Sequence, residues 1–285
     1  MFSHSEIISA SIKAGNNMEI LRTESLTRRF GAFTAVDGVT FTMNKGEVFG
    51  LLGPNGAGKS TTLKMLTTLL PPTSGNAYIQ EFDLIHHAGD VRRLIGYVPQ
   101  ALSADGALTG YENLLIFAKL YDLPRKEREA RIQRSLAFMG LEEAAGKLVR
   151  DYSGGMIRRL EIAQSVLHHP PVLFLDEPTV GLDPLARNAV WDNLEQLREE
   201  YDTTILLTTH HMEEADYLCD RIAIMHHAKL VAIGAPDKLK ASLDKQDATL
   251  DDVFIHYTGD QMDENELGGN FRDTTRARRN ARRIG

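Results

Sequence analysis

Glu47-Val-Phe-Gly-Leu-Leu-Gly-Pro-Asn-Gly-Ala-Gly-Lys-Ser60 passes from a short apolar segment through three glycines into a Lys-Ser pair. From Gly53 to Ser60 it fits G-x-x-x-x-G-K-[ST], and it stands where that pattern has a mechanism, after a predicted strand and before a predicted helix. The helical stretch runs from Lys59 to Leu70 and stops at Pro71-Pro72. Gly53, Gly56 and Gly58 let the backbone curl so that successive N–H groups face an anion, and the helix that follows adds its positive dipole end. The loop residues Gly53, Pro54, Asn55, Gly56, Ala57, Gly58, Lys59, Ser60 and Thr61 are therefore the candidate phosphate cradle. Lys59 would bridge β- and γ-phosphates, and the Ser60 hydroxyl would ligate Mg²⁺. A glycine-rich turn that only happened to contain Lys-Ser would not need the strand and helix on either side.

Further along, Val172-Leu-Phe-Leu-Asp-Glu177 is an apolar strand ending in two acids. Ligands of open α/β sheets lie at the carboxyl ends of strands, which puts Asp176 beside the phosphate loop. One carboxylate can hold Mg²⁺ through water, and Glu177 can orient and deprotonate an attacking water. Alone, such a pair would read as a solvated strand end or helix cap; the phosphate loop upstream decides between the two. Thr204–Thr208 and Arg221–Met225 are further strand candidates, with helices starting near Pro184 and Met212, and this alternation predicts a mostly parallel sheet covered on both faces. Before the loop, Glu19–Leu26 and Val39–Met43 predict antiparallel strands, with turns at Gly31 and Asp37-Gly38. From Leu102 to His169 the apolar spacing is helical, through Leu114, Leu115, Phe117, Ala118 and Tyr121, then Ile132, Leu136 and Met139, which predicts a helical insertion over about 101–169.

At 285 residues, 42% apolar and 25% charged, the chain has ordinary globular composition. Its net charge of −7 argues against a general nucleic-acid binder, and Cys219, the single cysteine, allows no internal disulfide and suits a reducing cytosol. Runs such as Asn113–Lys119 fall far short of the roughly 18 to 20 apolar residues that span a bilayer. Residues 1–17 lack a basic start and read as a flexible extension rather than a secretory signal. The end of the chain, 258–285, carries Arg272, Arg276, Arg278, Arg279, Arg282 and Arg283 and reads as a solvated tail, with anionic lipid headgroups as the sharper alternative.

Tyr152-Ser-Gly-Gly-Met156, between the phosphate loop and the acidic strand, completes a set of motifs. With them the chain, over about residues 18–257, resembles the nucleotide-binding subunit of an ATP-binding-cassette (ABC) transporter. The family signature is Leu-Ser-Gly-Gly-Gln; Ser153, Gly154 and Gly155 match, and Tyr152 and Met156 depart. Physically, a serine and two glycines opening a helix form a second anion site. The resemblance implies an α/β fold of the P-loop NTPase kind, with a mostly parallel sheet, an N-terminal antiparallel β subdomain and an inserted α-helical subdomain. It implies ATP and Mg²⁺ as ligands, with Ser60, Gln100 and Asp176 at the metal and Lys59, Gln100, Glu177 and His210 in catalysis. Gln100 would reach Mg²⁺ and the water, His210 the γ-phosphate, and Phe30 would stack on adenine where the family usually has tyrosine. Asp183, in Gly181-Leu-Asp-Pro184, would cross to a partner subunit. His86-His87, His168-His169 and His226-His227 read as surface or strand-end residues.

The resemblance also implies a head-to-tail dimer, in which Ser153, Gly154 and Gly155 of one copy close the ATP of the other. Arg158, Arg159 and the late Thr249–Gly259 segment resemble the bacterial drug-resistance exporter branch, whose partner is a separately encoded ABC-2-type permease. The expected location is the cytoplasmic face of the membrane. Two rivals are a soluble ABC ATPase of DNA repair or translation, which would show a second cassette or heptads, and a regulatory subunit that binds ATP without hydrolysing it. The cargo is not readable.

Overall fold

The computed structural model describes residues 18–259. The predicted extension 1–17 and the arginine-rich tail beyond Gly259 lie outside the described residues. In chain order the elements are β1 (Glu19–Phe30), β2 (Phe33–Val39), β3 (Thr42–Asn44), β4 (Val48–Leu52), α1 (Lys59–Leu66), β5 (Ser74–Ile79) and β6 (Phe82–Asp83). Then come α2 (Ala88–Arg93), β7 (Ile95–Val98), α3 (Gly110–Leu120), α4 (Arg125–Phe138), α5 (Gly154–Val166), β8 (Val172–Asp176) and α6 (Pro184–Tyr201). The last are β9 (Thr204–Thr209), α7 (Met212–Leu218), β10 (Arg221–His226), β11 (Lys229–Gly234), α8 (Pro236–Ala241) and α9 (Leu250–Thr258).

The main sheet has the order β11-β10-β4-β9-β8-β7, parallel throughout except for the edge strand β11. Its central strands β4, β8 and β9 are buried at every position, so each has a mainly apolar middle, with threonines at the ends of β9 and Asp176 closing β8. Alternate residues then serve two cores. Val48, Leu173, Leu175, Ile205 and Leu207 face the helices α3, α5, α6 and α7. Phe49, Leu51, Phe174 and Leu206 face α1 and the antiparallel sheet. That second sheet, β2-β1-β5-β6 with β3 also paired to β1, lies N-terminal as expected. The expected fold class is therefore the observed one.

Three local expectations are corrected. Asp37-Gly38 is no turn but lies inside β2, at a register shift where Leu26 pairs with Val39 and Arg28 with Val36. Gly38, at φ 65°, supplies the left-handed residue of a bulge, and its N–H donates to the Thr27 hydroxyl at 3.0 Å. The helix after the phosphate loop stops at Leu66 rather than Leu70, because Thr67 bonds back to the Leu63 carbonyl at 2.9 Å and Thr68 turns left-handed at φ 61°. His168 is half-buried rather than superficial: it stacks on Tyr121 with ring centroids 3.7 Å apart, and burial pushes its pKa down to about 4.

Candidate functional site

Parallel pairing brings the carboxyl ends of β4, β9, β8 and β7 to one edge of the sheet, with β9 between the strand that feeds the phosphate loop and the strand that carries the acids. The edge opens into a cleft of about 280 Å³. Its walls include Pro54, Asn55, Gly56, Gly58, Lys59, Ser60 and Thr61 from the loop, with Gln100 and Glu177 opposite. Gly58, before α1, has φ 110°, and a Cβ there would stand 2.4 Å from the Ala35 carbonyl oxygen. Only glycine lets the loop pass so close under β2.

Lys59 and Glu177 are each 4% exposed and form an ion pair at 3.1 Å, while Lys59 Nζ donates to the Gly53 carbonyl at 2.7 Å. Glu177 Oε2 lies 3.0 Å from His210 Nδ1 and accepts a long bond from Gln100 Nε2 at 3.5 Å. Burial alone would raise the Glu177 pKa; the His210 hydrogen bond and the Lys59 charge outweigh it, leaving the carboxyl below its ordinary range. Glu177 is therefore an ionised carboxylate, held at φ 49°, a left-handed conformation uncommon for this residue type. His211, with its ring 4.1 Å from that of His210, has its pKa lowered to about 4 by burial, helped by His210 and Arg187.

The Ser60 hydroxyl donates to Asp176 Oδ1 at 2.9 Å, and the Thr208 hydroxyl donates to the same oxygen at 2.7 Å. Thr208 Oγ1 also accepts the Glu177 N–H at 3.0 Å. Hydroxyl, carboxylate and the Gln100 carboxamide are hard oxygen donors, few in number. That set suits Mg²⁺, which keeps waters and phosphate oxygens among its ligands. No group of three or more His, Cys, Asp or Glu able to hold a metal occurs among the described residues, so an all-protein metal cage is not on offer here.

Other expected site residues lie elsewhere. Ser153, Gly154, Gly155 and Asp183 are not among the cleft walls. Ser153 caps α5 by accepting the Met156 N–H at 3.3 Å, and Asp183 caps α6 by accepting the Leu185 and Ala186 N–H groups at 3.0 Å. The two caps are neighbours: a Cβ on Gly155 would meet the Ala186 side chain at 2.6 Å. Phe30 is 47% exposed, lies outside the cleft walls and has the Arg28 guanidinium 4.6 Å over its ring. Phe33, its partner across the hairpin and not singled out in the sequence, does line the cleft, as does Ala35. Sequence reading also missed Glu214. Buried on α7, it accepts hydrogen bonds from Thr179 at 2.8 Å and from Trp191 at 2.9 Å, joining the segments that follow His210 and Glu177. An acid inside the apolar-periodic Met212–Leu218 was the available signal.

A family model described as ABC transporter matches residues 36–180. The chain belongs to that family. The ABC transporter relatives include the "Probable multidrug ABC transporter ATP-binding protein YbhF" of Escherichia coli (strain K12), 42% identical over 85% of this chain. This chain spans only 42% of the length of YbhF. The "Daunorubicin/doxorubicin resistance ATP-binding protein DrrA" of Streptomyces peucetius is 44% identical over 78% of this chain and 67% of its own length. The "Linearmycin resistance ATP-binding protein LnrL" of Bacillus subtilis (strain 168) is 40% identical over 79% of this chain and 72% of its own. A solved structure titled "Structure of ATP binding subunit of ABC transporter" superposes with a TM-score of 0.75 at 31% identity, over 84% of this chain and 99% of that one. The fold is that of an ABC ATPase.

Proposed function

We propose that this chain is the ATP-binding and ATP-hydrolysing subunit of an ABC exporter of drugs or other hydrophobic compounds, working through a separate ABC-2-type permease. The observation that carries the reading is that Lys59, Ser60, Gln100 and Glu177 line one cleft above a phosphate loop, with Asp176 hydrogen-bonded to Ser60 and His210 to Glu177 behind the walls. The loop N–H groups and Lys59 bind the β- and γ-phosphates. Ser60, Asp176 and Gln100 hold Mg²⁺, which supplies neutralisation of phosphate charge. Glu177 takes the proton of the attacking water, and His210, bonded to it, reaches the γ-phosphate. The exporter branch rests on the relatives named for multidrug, daunorubicin and linearmycin resistance.

The active form is a head-to-tail dimer with ATP at the interface. Ser153, Gly154 and Gly155 serve the partner's nucleotide, in keeping with their place outside the chain's own cleft walls. Asp183, whose carboxylate caps α6, stands beside them. No helix among the described residues is long and apolar enough to cross a membrane. A permease contact at the cytoplasmic face would draw on the exposed Leu102, two residues after Gln100, and on Ile116 and Leu120, which share a face of α3.

Specific ATPase activity is expected to rise with protein concentration, and Ser153→Arg to remove that rise while leaving ATP binding to the monomer intact. Flat specific activity across dilution, or loss of monomer binding in Ser153→Arg, would reject the shared site. Adenine packs against the hairpin tip, on Phe33 with Phe30 beside it. Phe33→Ala should weaken ATP binding about tenfold in a calorimetric titration, the scale of one base–aromatic stack. Phe30→Ala measured alongside decides how the two rings divide the load, and no loss in either variant would remove stacking from the account.

A further inference from the structure

Arg158 lies in the second turn of α5, only 2% exposed. Its Nη1 donates to the Pro99 carbonyl at 2.7 Å and to Glu161 Oε2 at 3.0 Å, and its Nη2 donates to the Gln100 carbonyl at 2.7 Å. Glu161, one turn on and 3% exposed, turns its other oxygen to the far end of the same loop. There it accepts the N–H of Ser103, the Ser103 hydroxyl at 3.1 Å and the N–H of Ala104 at 3.3 Å. Two buried charges one turn apart thus grip both ends of the segment that presents Gln100 to Glu177, chiefly by its backbone.

A buried ion pair yields little net stability compared with apolar side chains of the same volume, so holding the fold together is a poor account of this pair. Its geometry is a better one. A planar guanidinium fixes two successive carbonyls at once, which a flexible point charge cannot do. Ser153 caps the same helix only five residues before Arg158, so any shift of α5 when that end meets nucleotide is passed to the Gln100 loop through charge-assisted bonds.

We propose that Arg158 and Glu161 are positioning residues that lock the Gln100 loop to α5, so that the Gln100 carboxamide is set against Glu177 in step with the Ser153 end of the helix. This rests on the ATP-hydrolysing reading above. The test is steady-state ATP hydrolysis and ATP binding by the full chain carrying Arg158→Lys, Glu161→Gln, Gln100→Ala and the Arg158→Lys/Gln100→Ala pair. Lysine keeps the charge but cannot span both carbonyls. Arg158→Lys should therefore lower kcat about tenfold with KM for MgATP within about twofold, and guanidinium loss should cost under about twofold once Gln100 is already alanine. If the two substitutions multiply instead, or if Arg158→Lys weakens binding as much as turnover, the inference fails. Should the Arg158 variant not give a cooperative melt, Glu161→Gln carries the same cycle with Gln100→Ala and is read the same way. A wild-type chain that hydrolysed no ATP would overturn the proposed function itself, whereas Glu177-dependent hydrolysis with multiplying effects would overturn only this coupling.

Discussion

Glu177→Gln is expected to bind ATP, accumulate the nucleotide-bound dimer and hydrolyse roughly 10² or more times slower than wild type, which corresponds to about 2.7 kcal/mol on the barrier. The reason is local. Glutamine keeps the volume and can still bond His210 Nδ1 and Gln100, both 3.0–3.5 Å from the carboxylate in the structure, but it cannot accept a proton. Because Lys59 and His210 hold the carboxyl below its ordinary value of 4.5, the wild-type base is ionised throughout the neutral range. The acid limb of the kcat/KM–pH profile, which reports the nucleotide-free chain, therefore lies below that value where it belongs to Glu177. Size-exclusion chromatography with ATP, beside phosphate release, measures both halves of the expectation. Near-normal turnover would take the base role away from Glu177.

Lys59→Ala is expected to act on two quantities that separate. Loss of a charge-assisted bond to phosphate, worth about 1.5–3 kcal/mol, should weaken ATP binding roughly 10- to 150-fold. The same change leaves Glu177, 4% exposed, without its cation and with only His210 and Gln100 beside it. A buried carboxylate stripped of its partner costs stability, so the melting temperature should fall as well. Adding Glu177→Gln to Lys59→Ala removes the stranded charge, and should restore much of the melting temperature while leaving affinity low. If the double variant melted no higher than Lys59→Ala, the ion pair would be of no consequence to the fold.

What could be read in advance follows from how local each signal is. Gly53 to Ser60 is contiguous, and its meaning depends only on a strand before and a helix after. Glu177 and His210 follow strands whose apolar runs, Val172–Leu175 and Ile205–Leu207, mark them as central. Less was legible where meaning depends on burial or on chain geometry. Asp37-Gly38 has the composition of a turn, yet it is a bulge because β1 continues to Phe30 opposite it. β7 has four residues and one glycine, too short to show a period. Arg158, Glu161 and Glu214 look like solvent-facing charges of helices and are instead buried, since partners that satisfy them come from segments distant in sequence: the Gln100 loop for the first two, Thr179 and Trp191 for Glu214. Phe33 sits on the cleft only because the hairpin folds over the phosphate loop.

Thr208 has one hydroxyl and two clients, donating a hydrogen bond to Asp176 and accepting one from the Glu177 N–H. Under the roles proposed for Asp176 and Glu177, ion preference and water activation would hang on a common peg. Retuning Asp176 toward a larger cation would drag that peg and tilt Glu177 with it, so cation selectivity and turnover would then change together.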